Sequence, residues 1–133
     1  MKLYLDASAL VKRYVEEVGS DAIVAAMNRA ESCFICRVGY VETVRAVARG
    51  GVPADVARAK RDWPSLRVVE ADSDVAERAA SLSLNTGLRT LDALHLAAAL
   101  TLPANQVVFA TWDRDLHRAA REQGLLTLPA TLD

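Results

Sequence analysis

Leu3-Tyr4-Leu5-Asp6-Ala7-Ser8-Ala9-Leu10, residues 3–10, begins as a strand, ends as a helix and places an acid at the junction. The apolar triplet Leu3–Leu5 reads as a short strand. Ser8 is suited to cap a helix whose apolar stripe is Val11, Tyr14, Val15 and Val18, spaced i, i+3, i+4, i+7. With Ser8 as the cap, Asp6 is left partly free at the C-terminal end of the strand.

The same alternation continues outward from this segment. Gly19-Ser20 breaks the first helix, and a second runs roughly from Asp21 to Ala30. Cys33 to Cys36 reads as a strand, and a helix from about Val38 to Arg49 stops at Gly50-Gly51. Pro53 opens a helix at its first turn and Pro64 closes it. Leu66 to Val69 is a third strand. Asp72 or Ser73 caps a helix carrying Val75, Ala79 and Leu82, which ends near Gly87. Thr90 starts a helix that is apolar nearly all round, Leu91 to Leu100. Gln106 to Ala110 is a strand, Asp113 starts a helix with Leu116, Ala119 and Ala120 inward, and Leu125 to Leu128 is a last strand. Strands separated by helices imply an α/β fold: a three-layer α/β/α sandwich around a mainly parallel sheet, formed by residues 1–133 as a single domain. In such folds ligands sit outside the carboxyl ends of the strands.

Composition narrows the function. Of 133 residues 52% are hydrophobic, enough for a core without staples. Sixteen basic and 17 acidic residues give a formal net charge of -1. That excludes a generic polycation for nucleic acid, but not a nuclease whose acidic cluster cancels a basic rim. No apolar run is long enough for a membrane span, and Asp6 comes too early for a signal peptide, so the chain reads as cytoplasmic. Cys33 and Cys36 are three apart on a strand, so their thiols point to opposite faces and read as two structural thiols in a reducing compartment.

Four acids stand out for different reasons. Asp6 and Asp113 follow strands, and each doubles as a candidate helix cap. Asp92 sits on the apolar helix, where a carboxylate is costly unless paired or bound to metal. Glu42 lies on a helix that is read as burying Tyr40, Val41, Val44, Val47 and Ala48. On that reading Glu42 shares the outer face with Arg45 and Arg49, as a surface pair or as a catalytic acid beside an RNA groove. His95 and His117 each follow an acid by about one turn and read as hydrogen-bonded core residues before metal ligands.

Taken in order, these segments resemble the PIN-domain ribonucleases. Leu3–Leu10 is similar to the family's opening, Glu42 falls at its helix glutamate, Arg89–Ala97 looks like its third acidic motif, and Ala110–Asp113 with Leu116, Ala119-Ala120 and Gly124-Leu125 looks like the fourth. Cys36, where many relatives carry Ser or Thr, is a small departure. The length, without an attached domain, is similar to the VapC-like toxins of toxin–antitoxin pairs. The resemblance implies a five-stranded parallel sheet, Mg²⁺- or Mn²⁺-dependent endoribonuclease activity, a homodimer and a cognate antitoxin.

Hard carboxylate oxygens suit Mg²⁺ or Mn²⁺, and a bound ion lowers the pKa of a water and shields phosphoryl charge. On this reading Asp6, Asp92 and Asp113 hold the metal and Glu42 orients or deprotonates the attacking water. Ser8 and Thr111 position the site by hydrogen bonds, and Asp115 supports it from the helix end. Lys12, Arg13, Arg45 and Arg49 are candidates for RNA phosphate contacts. The alternatives are a phosphoacceptor domain using Asp6, a catalytically silent PIN-like binding module, and an RNA-processing nuclease outside any toxin system. Ser8 stands where a phosphotransferase usually has a second acid, which counts against the first.

Overall fold

A computed structural model describes residues 1–133. Five strands, β1 (Lys2–Leu5), β2 (Ser32–Cys36), β3 (Arg67–Val69), β4 (Val107–Ala110) and β5 (Leu126–Leu128), form one sheet in the order β3-β2-β1-β4-β5. Every pairing is parallel, with Tyr4 opposite Phe34 on one side and Phe109 on the other. The helices are α1 (Ala7–Leu10), α2 (Ser20–Arg29), α3 (Val38–Gly50), α4 (Pro53–Asp62), α5 (Ser73–Thr86), α6 (Thr90–Ala99) and α7 (Arg114–Glu122). The α/β/α architecture expected from the alternation is therefore present.

Side-chain alternation along the strands divides the core in two. Leu3, Leu5, Ile35 and Ala110 pack with residues of α1 to α4. Tyr4, Cys36, Val107 and Phe109 point the other way, among residues of α5, α6 and α7. The two cysteines are free and fall on opposite sides, Cys33 with the first cluster and Cys36 in the second. Both faces of the central strands are covered, which is why Leu3–Leu5 of β1 and all of β4 are apolar without interruption.

The chain winds outward from β1 through β2 to β3, then returns to the other side of β1 for β4 and β5. The crevice between β1 and β4 is thus the topological switch point, where such sheets bind ligands. Asp6 and Thr111 leave the sheet there, and the backbone N–H of Asp6 still donates to Ala110 O at 3.2 Å.

The first helix is shorter than its apolar stripe suggests. After α1 a 3₁₀ turn, Val11–Arg13, ends the helical run; Val11 and Tyr14 are buried but Val18 is 85% exposed. The chain then turns at Gly19, whose φ is +95° and whose missing Cβ would lie 2.6 Å from Cζ2 of Trp112. An alanine there would need both a left-handed backbone and the space held by the indole. Gly19→Ala is expected to cost about 1–3 kcal/mol of stability, read as a lower urea midpoint at unchanged slope.

Candidate active site

Asp6 does more than end a strand. Its Oδ1 accepts the Ala9 backbone N–H at 2.9 Å, so Asp6 itself is the N-cap of α1. The expectation that Ser8 caps the helix is corrected: Ser8 lies inside α1 and donates its hydroxyl to Asp6 Oδ1 at 2.7 Å. Thr111 donates to Asp6 Oδ2 at 2.5 Å. The same two hydroxyls tie down the strand-end loop after β4, accepting the backbone N–H groups of Trp112 (3.1 Å, to Ser8) and Asp113 (3.1 Å, to Thr111). Ser8 and Thr111 therefore bind the two strand ends at the switch point to each other through Asp6.

Asp113 caps α7, with Oδ1 accepting the Leu116 N–H at 2.9 Å; its Oδ2 has no protein partner. The capping and the site readings of Asp113 are compatible, because a carboxylate has two oxygens. Asp92 lies in the first turn of α6 and accepts no hydrogen bond from the protein. All three aspartates thus sit at helix N-termini, where the peptide dipoles favour negative charge.

The three carboxylates share one electrostatic environment. Burial pushes the Asp92 carboxyl up to about 6, and the charges of Asp113 and Asp6 add to the rise, while Arg89 opposes it. Burial also raises Asp6 above the usual carboxylate range, in spite of its three donors. Like charges gathered in a partly dry site disfavour one another's ionisation, and a cation among them removes the penalty.

Glu42 joins this group by a route the sequence did not suggest. The buried face of α3 is Gly39, Thr43 and Val47, whereas Val41 is 68% exposed and Ala48 is exposed. The stripe read from the valines is therefore rotated relative to the real one, and Glu42 lies at the edge of the buried face. It makes no ion pair with Arg45 or Arg49, both of which are exposed. Its Oε1 instead lies 2.6 Å from Nε2 of His95. A groove of about 600 Å³ is lined by Glu42, Ser83, Arg89, Thr90, Leu91 and Asp92.

The basic candidates fare unequally. Lys12 is buried, donating to Glu17 at 2.9 Å and lying 4.8 Å above the Trp112 ring, so its ammonium is occupied within the fold. Arg13 faces Asp62 at 3.9 Å and lines a cleft with Ser32 and Cys33, at the opposite end of the sheet from Asp6. Both are corrected as phosphate contacts. Arg89, beside Asp92 in the groove, was not among the basic candidates; it opens the third acidic motif and carries no periodic signal of its own. Asp115 is exposed and paired with Arg118 at 3.0 Å, a helix-terminal charge away from the buried carboxylates. His117 is a core residue as expected, its Nε2 2.7 Å from the carbonyl oxygen of Pro129.

No three His, Cys, Asp or Glu side chains are drawn together tightly enough to enclose an ion by themselves. The donor set nevertheless fits a hard divalent cation. Asp92 and Oδ2 of Asp113 are without protein partners, and Mg²⁺ commonly takes only one or two carboxylates and keeps several waters.

Comparison with known proteins supports the fold. The family model described as PIN domain matches residues 3–122. The chain is 35% identical over 140 aligned positions to a protein of Mycobacterium tuberculosis (strain CDC 1551 / Oshkosh) named Ribonuclease VapC45, covering 98% of this chain and 97% of that one. Among solved structures it is similar to Mycobacterium tuberculosis VapC20, described as a sarcin-ricin loop cleaving toxin, with a TM-score of 0.71 at 17% identity over 88% of this chain and 94% of that one. It is also similar to a chain of a toxin–antitoxin complex from Klebsiella pneumoniae, with a TM-score of 0.67 at 16% identity over 84% and 86%. At those identities the structural likenesses speak for the fold alone.

Proposed function

Because the chain belongs to the PIN domain family, we propose that it is a divalent-metal-dependent endoribonuclease and the toxin of a toxin–antitoxin pair. The observation that carries the catalytic part is the gathering of Asp6, Asp92 and Asp113 at the switch point of the sheet, where burial, with the charges of Asp113 and Asp6 adding to it, raises Asp92 to about 6. The toxin part rests on the full-length likeness to a protein named Ribonuclease VapC45 and on the fold shared with a chain of a toxin–antitoxin complex. Such a toxin has a cognate antitoxin as its partner, and a homodimer is the proposed assembly.

Asp6, Asp92 and Asp113 would hold Mg²⁺ or Mn²⁺. When bound, the ion supplies a water of lowered pKa and neutralises charge on the phosphoryl oxygens. The side chains of this protein do the remainder. Ser8 and Thr111 hold Asp6 in one orientation, leaving one lone-pair site on Oδ2 beyond the Thr111 bond. Glu42 orients the attacking water and takes its proton. Arg89, at the groove wall with Asp92, receives the phosphate next to the cleaved bond, and the exposed Arg45 and Arg49 of α3 are candidates for phosphates further along the strand. No helix is long and apolar enough to cross a membrane.

The test is cleavage of a single-stranded RNA by the purified chain, with and without a chelator, followed by Mn²⁺ or Mg²⁺ replacement. Chelation is expected to remove cleavage and the cation to restore it. The same cation should raise the thermal midpoint of the chain in the absence of RNA, because it binds only the assembled carboxylates. Cleavage indifferent to chelation would remove the metal from the proposal. No cleavage of any RNA by a folded, cation-loaded chain would favour a binding module instead.

A further inference from the structure

We propose that His95 is a positioning residue that holds Glu42 for reaction, its Nε2 made the donor by a buried chain of hydrogen bonds beginning at the backbone of β2. The proposal rests on the reading of Glu42 as the residue that handles the attacking water.

The chain has four members. The Cys36 backbone N–H donates to Tyr4 Oη at 3.0 Å, Tyr4 Oη lies 2.8 Å from His95 Nδ1, and His95 Nε2 lies 2.6 Å from Glu42 Oε1. Tyr4 is 0% and His95 1% exposed, so water cannot replace any of the inner partners. Counting donors assigns the protons. Only two groups reach Tyr4 Oη, and the Cys36 amide can only donate. The phenolic proton therefore goes to Nδ1, which must accept it, since otherwise a buried hydroxyl proton would have no acceptor. The ring is then the neutral tautomer with its proton on Nε2, and that proton is given to Glu42.

Packing fixes the geometry as well as the protons. The Tyr4 ring is stacked on Phe109 (centroids 5.2 Å apart, planes at 4°) and meets the His95 ring edge-on at 76°. Gly39, one turn before Glu42 on α3, lies against the imidazole at Cε1. A Cβ there would stand 3.2 Å from His95 Cε1 and 2.5 Å from the Ile35 side chain. The missing side chain lets the first turn of α3 approach closely enough for Glu42 to reach Nε2. With Oε1 held by the imidazole, Oε2 is left without a protein partner on a side chain that lines the groove shared with Asp92. A glutamate with three free torsions is thus reduced to one working oxygen in one place.

A purely structural histidine would be sensitive to the loss of either nitrogen. A positioning histidine is sensitive to one. Glutamine at this site puts its amide nitrogen where Nε2 is, and asparagine puts its amide where Nδ1 is. His95→Gln therefore keeps a donor to Glu42 and gives up the Tyr4 bond; His95→Asn does the reverse. Each breaks one buried hydrogen bond, so their losses in thermal midpoint should be similar.

Steady-state cleavage of one RNA by the full chain with Mn²⁺ separates the cases. His95→Asn is expected to lower kcat about 10–100-fold with KM unchanged, and His95→Gln to stay within about threefold of the unaltered chain. Equal losses in the two variants, or full activity of a folded His95→Asn, would overturn the proposal. Nitrogen-15 NMR of the unaltered chain tests the hydrogen-bond chain without reference to cleavage: a neutral ring protonated at Nε2 is expected, and a proton on Nδ1 would overturn it even if the variants do not fold. Glu42→Gln is the control for the premise. If it cleaves at the unaltered rate, the reading of Glu42 has failed; if it is inactive while both His95 variants are active, the positioning role has failed.

Discussion

Asp6→Asn is expected to lower RNA cleavage about 10³-fold while leaving circular dichroism and the thermal midpoint close to those of the unaltered chain. The loss corresponds to about 4 kcal/mol, the scale of charge stabilisation that a metal-held phosphoryl group supplies. The fold should survive because the substitution keeps most of what Asp6 does structurally. An amide oxygen at the Oδ1 position still accepts from Ser8 and from the Ala9 N–H that begins α1. The amide nitrogen then meets the Thr111 hydroxyl, and one buried hydrogen bond is weakened, at about 1 kcal/mol. Against that, a buried carboxylate whose ionisation is disfavoured is removed. A folded variant with unaltered cleavage would remove Asp6 from the site.

Asp92→Asn should separate activity from stability in opposite directions. Cleavage is lost, but the cation-free variant is expected to be more stable than the unaltered chain at neutral pH. The sign follows from the raised pKa. A carboxyl whose value rises from the ordinary 3.8 to about 6 on folding is bound more tightly to its proton in the folded state. Its contribution to stability is complete below the unfolded value and is lost as pH rises through about 6. Above that, the ionised group is partly desolvated and faces Asp113 and Asp6, and Arg89 offsets only part of the cost. Because Asp92 is only partly buried, solvent screening reduces the effect to about 1 kcal/mol, a few degrees in thermal midpoint. Thermal scans of both chains from pH 4 to 8 in chelator should show the gap opening with pH. Mn²⁺ should close it by stabilising the unaltered chain alone. A variant less stable than the unaltered chain at pH 8 would show that the carboxylates do not share a field.

The order of strands and helices was legible in the sequence because each element carries its own period and its own stop signal. Asp113 was legible as a cap, and its Oδ1 caps α7 while Oδ2 has no protein partner. Glu42 was legible only through family likeness, and its helix face was misjudged for a physical reason. The residues that α3 buries are Gly39, Thr43 and Val47. A glycine and a threonine add little to an apolar stripe, so the exposed Val41 dominated the pattern. Val18 misled for another reason: the helical run ends with the 3₁₀ turn at Arg13, so the spacing from Val11 to Val18 does not lie on one helix face. Tyr4 was read only as a strand residue and His95 only as core. Their connection spans 91 residues, and its far end, Glu42, lies 53 residues from His95. Single-sequence periodicity carries no information at such separations.

The placement of β1 at the centre of the sheet has a consequence during synthesis. Strand β1 cannot complete its pairing until β4, more than a hundred residues later, has emerged to lie beside it. Asp113 follows β4 directly, and Thr111, which fixes Asp6, is its neighbour but one. A growing or prematurely released chain therefore holds Asp6, Glu42 and Asp92 without the strand that brings them to order. For an enzyme that cuts RNA, the acids come into register only once β4 has paired with β1.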